Sequence, residues 1–232
     1  MTIEICGDST EAYKLAKQFG AKRIELCSGL SVGGLTPSYG LIAQCFKIGG
    51  VEIHVMIRNS EGNFVYTDSD IEAMKTDITQ SKNAGASGVV FGCLTSLNEI
   101  DTGQNKQLFK HAKSLGLEVT FHRAFDFCKD PNIALKQLVE IGFDRLLTSG
   151  QQAKAIEGKL TIKNLVNQSQ GRIEIMAGSG VNESNVKELS ALGIDALHFT
   201  SHTSKENLNL GMGRELIPDE LKVGNIMAVL NQ

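Results

Sequence analysis

Tryptophan is absent from this chain of 232 residues, aromatics make up only 6% of it, and proline occurs three times. Nucleobases or sugar rings therefore have little on which to stack. No basic block interrupts a formal charge of −3, which argues against wrapping of DNA or RNA. Nowhere do about 18 apolar residues run together, and the opening MTIEICGDST has no basic stretch leading into a long apolar one. The expectation is a cytoplasmic protein with neither nucleic acid nor membrane among its partners. The cysteines, Cys6, Cys27, Cys45, Cys93 and Cys128, form no CxxC, so zinc-knuckle and thioredoxin-type motifs are missing. An odd, scattered set reads as reduced, mostly buried thiols in a reducing compartment.

What the chain does have is a repeated grammar. Glycine precedes each later strand candidate: Gly20 before RIELC, Gly50 before VEIHVMIR, Gly85 before the SGVVFG stretch, Gly116 before LEVTFH, Gly142 before FDRLLTSG, Gly171 before RIEIMAG and Gly193 before IDALHFTS. The spacings, 30, 35, 31, 26, 29 and 22 residues, each suit one strand plus one helix. Thr2–Cys6 adds a first strand, for eight. Helical stretches are expected at about 9–19, 38–48, 68–84, 104–115, 132–140, 151–169, 182–192 and 219–229, with Ser9 or Thr10 capping the first and Pro37, Pro131 and Pro218 beside three of the starts. The fold class is α/β, a single (β/α)8 TIM barrel occupying residues 1–232 as one domain; an open doubly wound sheet, the rival, usually has fewer crossovers.

Alternation along the strands then sorts residues by face. Ile3, Ile5, Ile24, Leu26, Ile53, Val55, Val119, Phe121, Ile175 and Leu197 point outward beneath the helices. Glu4, Cys6, Glu25, Cys27, His54, Met56, Arg58, Thr120, His122, Glu174, Met176, His198 and Thr200 point into the barrel. That interior is polar where a purely structural barrel prefers branched apolar layers, because a buried unpaired charge is costly. The C-terminal ends of the strands, where barrel enzymes place their chemistry, carry Cys27, His54, Arg58, His122 and Thr200.

Three candidate sites follow. In the first, Glu25, His54, His122 and Asp126 are the acid–base candidates and Arg58 the clamp for a carboxylate or phosphate; an internal ion-pair network is the structural alternative, and Arg123 competes for Asp126. The second is an anion site built by Gly178, Ser179 and Gly180 of MAGSGV after the seventh strand, with Ser149 from the sixth loop. The third is a soft-metal site in which Cys6 and Cys27 hold Cu(I), with Met56 or Met176 adding a thioether, against the alternative that these side chains only fill space. Loop 29–37 reads as a rim, and loop 59–67 as a cover bearing Phe64 and Tyr66.

Six segments, IELC at 24–27, GGLTPS at 33–38, MIR at 56–58, VTFHRAFD at 119–126, LTSGQ at 147–151 and IMAGSGV at 175–181, together resemble the CutC family, named for copper homeostasis. The resemblance spans most of the chain. It implies a cytoplasmic (β/α)8 barrel, commonly a homo-oligomer, with a role in intracellular copper handling. It carries the family's polar cluster onto Glu25, His54, Arg58, His122 and Asp126, and makes Cys27 the thiol to connect with copper. The chain departs from the family after Arg58: Asn59 and Ser60 stand where many relatives have proline then arginine, and Asn63 where aspartate is frequent. Two functions remain open on these residues, Cu(I) binding or trafficking, and a lyase, isomerase or hydrolase acting on a small anionic or phosphorylated metabolite.

Overall fold

Strands this short and apolar on one face need a helix behind each of them, and the chain supplies one every time. The computed structural model describes residues 1–205 and 215–231. Strands β1 (Thr2–Gly7), β2 (Arg23–Leu26), β3 (Glu52–Met56), β4 (Gly88–Phe91), β5 (Glu118–Phe121), β6 (Arg145–Thr148), β7 (Glu174–Gly178) and β8 (Ala196–Thr200) pair in parallel and in chain order, and β8 returns to β1 to close a barrel. Helices α1 (Thr10–Gln18), α2 (Tyr39–Ile48), α3 (Asp68–Asn83), α4 (Thr102–Ser114), α5 (Pro131–Ile141), α6 (Lys159–Ser169), α7 (Val186–Ser190) and α8 (Glu220–Leu230) form the outer ring.

Local chemistry sets the helix starts. Ser9 and Ser38 accept from the backbone N–H groups of Ala12 and Leu41. Thr67 and Asp70 cap each other's backbone at the head of α3, and Pro131 follows the Asp130 cap of α5. The outward set behaves as the alternation requires: Ile5, Ile24, Val55, Phe121 and Leu197 join one apolar layer between sheet and helices.

Two helices are shorter than expected. Residues 151–158 form turns instead of the first part of α6, because Gly150 and Gly158 bring two backbone segments together; a Cβ on Gly150 would lie 2.3 Å from the Gly158 carbonyl oxygen. Residues 182–185 are likewise held out of α7 by polar turn contacts, in which the Asn182 N–H donates to Asn185 Oδ1 and the Ser184 N–H to Asn182 Oδ1. The structure also adds an antiparallel pair, β9 (His202–Ser204) with β10 (Leu216–Pro218), between β8 and α8.

The barrel interior has two characters. Towards the N-terminal ends of the strands lies a network of charges: Arg23 bonds Glu4 (3.0 Å) and Glu174 (3.1 Å), and Arg145 bonds Glu174 (2.8 Å) and Glu118 (3.1 Å). Above it sit Cys6, Cys27, Met56 and Val90 in one small apolar cluster, with Leu147, Met176 and Ala196 in another. Each buried charge in the network has an opposite partner, which is the condition for tolerating charges away from water.

Candidate functional site: a thiol-floored cleft at the barrel mouth

A cleft of about 600 Å³ opens at the C-terminal ends of the strands. Its lining includes Cys6, Glu25, Met56 and His198 from the barrel strands, with Arg58, Phe64 and His122 around the β3 and β5 ends and Ser179 and Gly180 from the loop after β7. A second hollow, of about 420 Å³, lies beside α5 and is lined by residues such as Asn98, Lys129 and Ile133, away from this group.

The thiols meet. Cys6 Sγ and Cys27 Sγ are 4.0 Å apart, and Cys27 Sγ is 3.6 Å from Glu25 Oε2. Only Cys6 reaches the cleft, with 7% of its surface exposed against none for Cys27. Register explains the meeting: Cys6 pairs with Glu25 across β1 and β2, so Cys27 is the next inward position on the neighbouring chain segment. His198, opposite Glu4 in the β1–β8 pairing, holds the Glu4 carboxylate through Nδ1 at 2.9 Å and places Nε2 3.7 Å from Glu25 Oε2. A Cβ on Gly178 would come within 3.1 Å of the His198 ring, so the glycine leaves room for the imidazole.

This arrangement divides charge unevenly. The hydrogen bond with Cys27 leads in bringing Cys6 down to about 5, helped by His198 against the opposing effect of burial. The same bond, with burial, pushes the Cys27 thiol well above its usual range. Burial and the neighbouring Cys6 charge raise Glu25 well above the ordinary carboxyl range. Burial opposes ionisation of Glu4, yet its bond to His198 and the charges of His198, His54 and Arg23 bring it to about 2. His198 is raised well above the imidazole range because Cys6, Glu25 and Glu4 outweigh its burial. These directions favour one shared thiolate charge on the sulfur pair next to a charged His198 and the Glu4 carboxylate, and they oppose a second negative charge on the pair or on Glu25.

The other expected site residues are distributed differently. His54 is not at the mouth. The hydrogen-bonded register runs Cys6–Glu25–His54–Gly88–Glu118, from near the end of β1 to the first residue of β5, so the barrel's stagger carries His54 down to the ionic network. There it is fully buried, 3.7 Å from Glu118, and burial leads in lowering it to about 4, reinforced by Arg145 and Arg23. His122 does line the cleft, against Phe64 at 4.9 Å; burial first and Arg58 second lower it to about 3, leaving a neutral ring. It does not bond Asp126. Asp126 instead receives Arg123 Nε at 2.8 Å, Thr148 Oγ1 at 2.6 Å and the N–H and hydroxyl of Ser149 at 3.0 and 2.8 Å, so both Asp126 and Ser149 organise the sixth loop.

Arg58 is at the rim, but much of its fork is engaged with the protein. Nη1 donates to the Val32 and Gly34 carbonyls and Nη2 to the Gly62 carbonyl, tying the second and third loops together. Phe64 lies under its guanidinium at 5.1 Å, so that part of the expected cover forms the cleft wall, whereas Tyr66 is in the core. Ser179 and Gly180 line the cleft; Gly178 stands behind them against His198. Alternation along the strands assigns His198 and Glu4 to the barrel interior, but nothing local to them signals that they bond each other beside Glu25. Their signal was a histidine and a carboxylate on inward positions of the two strands that close the barrel.

Fold and cleft define a (β/α)8-barrel protein with a paired-thiol site at its mouth. The chain belongs to the CutC family, whose model matches residues 1–203. A CutC family protein of Glaesserella parasuis serovar 5 (strain SH0165) is 46% identical over 209 residues, 90% of this chain and 85% of that relative. One from Bacteroides thetaiotaomicron is 44% identical over 226 residues, covering 94% and 90%. Among solved structures, a CutC protein from Streptococcus agalactiae, whose name associates it with copper homeostasis, superposes with a TM-score of 0.80 at 36% identity over 86% of this chain and 98% of that one. Phosphoribosyl anthranilate isomerase from Thermus thermophilus, at TM-score 0.64 and 14% identity over 100% and 98%, shares the fold alone. Among the described residues no helix is long and apolar enough to cross a membrane.

Proposed function

We propose that the protein binds Cu(I) at the Cys6–Cys27 pair and serves copper homeostasis in the cytoplasm. The observation that carries this reading is the 4.0 Å separation of the two sulfurs, Cys6 at the cleft floor and Cys27 directly behind it. With metal–thiolate bonds of about 2.3 Å, two sulfurs at that spacing subtend about 120° at an ion between them, leaving a third, trigonal position. Cu(I) favours soft ligands, and Met56, packed with both cysteines, offers a thioether for that position. Cys6, Glu25 and Cys27 also form a compact candidate ligand group, with Glu25 a harder donor than the sulfurs. The free cysteines accord with a reducing compartment, and the name of the Streptococcus relative points the same way.

An anaerobic competition titration against a Cu(I) chromophoric chelator tests the proposal. One tightly held ion per chain is expected in the wild type, with loss of that affinity in both Cys6→Ser and Cys27→Ser. Undiminished affinity in either variant sinks the assignment of the pair.

One observation favours a second reading. A volume of about 600 Å³ is far larger than an ion needs and matches small-molecule sites. On this reading Arg58 and the Ser179–Gly180 turn receive a small anionic or phosphorylated metabolite, the protonated Glu25 serves as acid, and neutral His122 polarises an oxygen. A metabolite screen by thermal shift, repeated with Arg58→Lys, decides: the reading requires a ligand whose affinity falls in the variant.

A further inference from the structure

The two thiols are unlike each other in a way that copper binding does not require. Cys6 opens on the cleft, which His198 also lines from the neighbouring strand; that imidazole is fixed by Glu4 through Nδ1 at 2.9 Å, and Glu4 in turn by Arg23 at 3.0 Å. Cys27 is wholly enclosed behind it, and its neighbour is a carboxyl group, Glu25, whose Oε2 lies 3.6 Å away while Oε1 is buried with no hydrogen-bond partner among the described residues. An accessible thiol next to a proton donor, and a second thiol behind it next to a proton relay, are the two parts that stepwise thiol–disulfide exchange needs.

We propose that Cys6 and Cys27 carry out dithiol–disulfide exchange with a small organic disulfide admitted to the cleft, Cys6 attacking and Cys27 resolving. The inference goes beyond the copper reading and uses the metal-free protein. In the first step Cys6 Sγ attacks one sulfur of the disulfide. A new S–S bond to Cys6 forms, the original S–S bond breaks, and the leaving thiolate takes its proton from His198. In the second step Cys27 Sγ attacks Cys6 Sγ and expels the other half as a thiol, with the Cys27 proton passing through the Glu25 carboxyl group. Two electrons move: the bound disulfide is reduced to two thiols and the protein dithiol is oxidised to one disulfide.

Closure needs the sulfurs to approach from 4.0 Å to a bond length of about 2.05 Å. Cys27 is the first residue beyond β2, where the chain enters the second loop. On its loop side stands Gly34, where a Cβ would press within 3.2 Å of Cys27 Sγ; the glycine leaves space for the sulfur to turn. The cleft also indicates the substrate class. Arg58, Arg123 and Lys222, although each already donates to the protein, leave the cleft with positive charge beside the rings of Phe64 and Phe127, a combination suited to an apolar or aromatic disulfide bearing carboxylates.

The test is anaerobic mixing of the reduced, metal-free full chain with 5,5′-dithiobis(2-nitrobenzoate), followed by absorbance and intact mass. The wild type is expected to release two thionitrobenzoates per chain in a fast phase and to end about 2 Da lighter, without a retained adduct. Cys27→Ser is expected to release one and retain the other half on Cys6, and Cys6→Ser to lose the fast phase. Circular dichroism confirms that each variant is folded. With bis(2-hydroxyethyl) disulfide as the probe, whose leaving thiolate does take up a proton, Glu4→Gln, which keeps both thiols but loosens His198, is expected to slow the first exchange about tenfold with its stoichiometry intact. A fast phase that survives in Cys6→Ser, or a wild-type adduct that never resolves, overturns the proposal. Exchange without Cu(I) binding would leave this inference standing and remove the copper reading; Cu(I) binding without a fast phase would do the reverse.

Discussion

His54 gives the sharpest separation between the ionic network and the cleft. Its folded-state value of about 4 lies below the 6.5 expected of an exposed imidazole. The unfolded chain therefore takes up the proton first as pH falls. The contribution of neutral His54 is fully present above pH 6.5 and is lost as pH drops through 4. The gap, at about 1.36 kcal/mol for each pH unit, corresponds to roughly 3 kcal/mol of acid-sensitive stability. His54→Gln puts a group that does not titrate in the same place. Urea unfolding of both proteins at pH 7.5, 6, 5 and 4 should show the variant less stable at pH 7.5 by about 1–2 kcal/mol, through altered packing against Gly88, but with a clearly smaller loss on acidification. Because His54 does not line the cleft, Cu(I) affinity should be unchanged. An identical acid dependence would refute the burial argument, and a tenfold weaker Cu(I) affinity would place His54 back at the mouth.

Two further outcomes depend on the same geometry. Arg145→Met removes a buried guanidinium from the half-exposed Glu118 and from Glu174, which keeps Arg23, so chemical denaturation should show a loss of about 1–3 kcal/mol; a loss under about 0.5 kcal/mol would mean that the solvent-exposed carboxylates take nothing from Arg145. Asp126→Asn removes the charge that collects Arg123, Thr148 and Ser149, and should cost about 2–3 kcal/mol while accelerating proteolysis within residues 149–158; an unchanged cleavage rate would deny Asp126 its organising role.

Strand count, strand order and the inward and outward faces were legible because period-two alternation and glycine spacing are local signals. Depth along the barrel axis was not. It depends on the stagger between strands, so Cys6, Glu25 and His54 share a hydrogen-bonded row yet lie at different heights, and His54 was expected one layer too high. The network of Arg23, Arg145, Glu118 and Glu174 escaped for a related reason, since its members come from four separate strands and meet only after closure. The meeting of Cys6 with Cys27 was within reach because β1 and β2 are adjacent and both residues sit near strand ends. His198 joins them only through the β8–β1 pairing, across nearly the whole chain.

In the proposed copper site, Cu(I) is held by sulfur from both cysteines. Copper K-edge X-ray absorption on the anaerobically loaded protein tests this most directly. A first shell of at least two sulfur scatterers at about 2.3 Å is expected in the wild type, with one sulfur lost in Cys27→Ser. A first shell made only of nitrogen and oxygen, or one unaltered by that substitution, would contradict it.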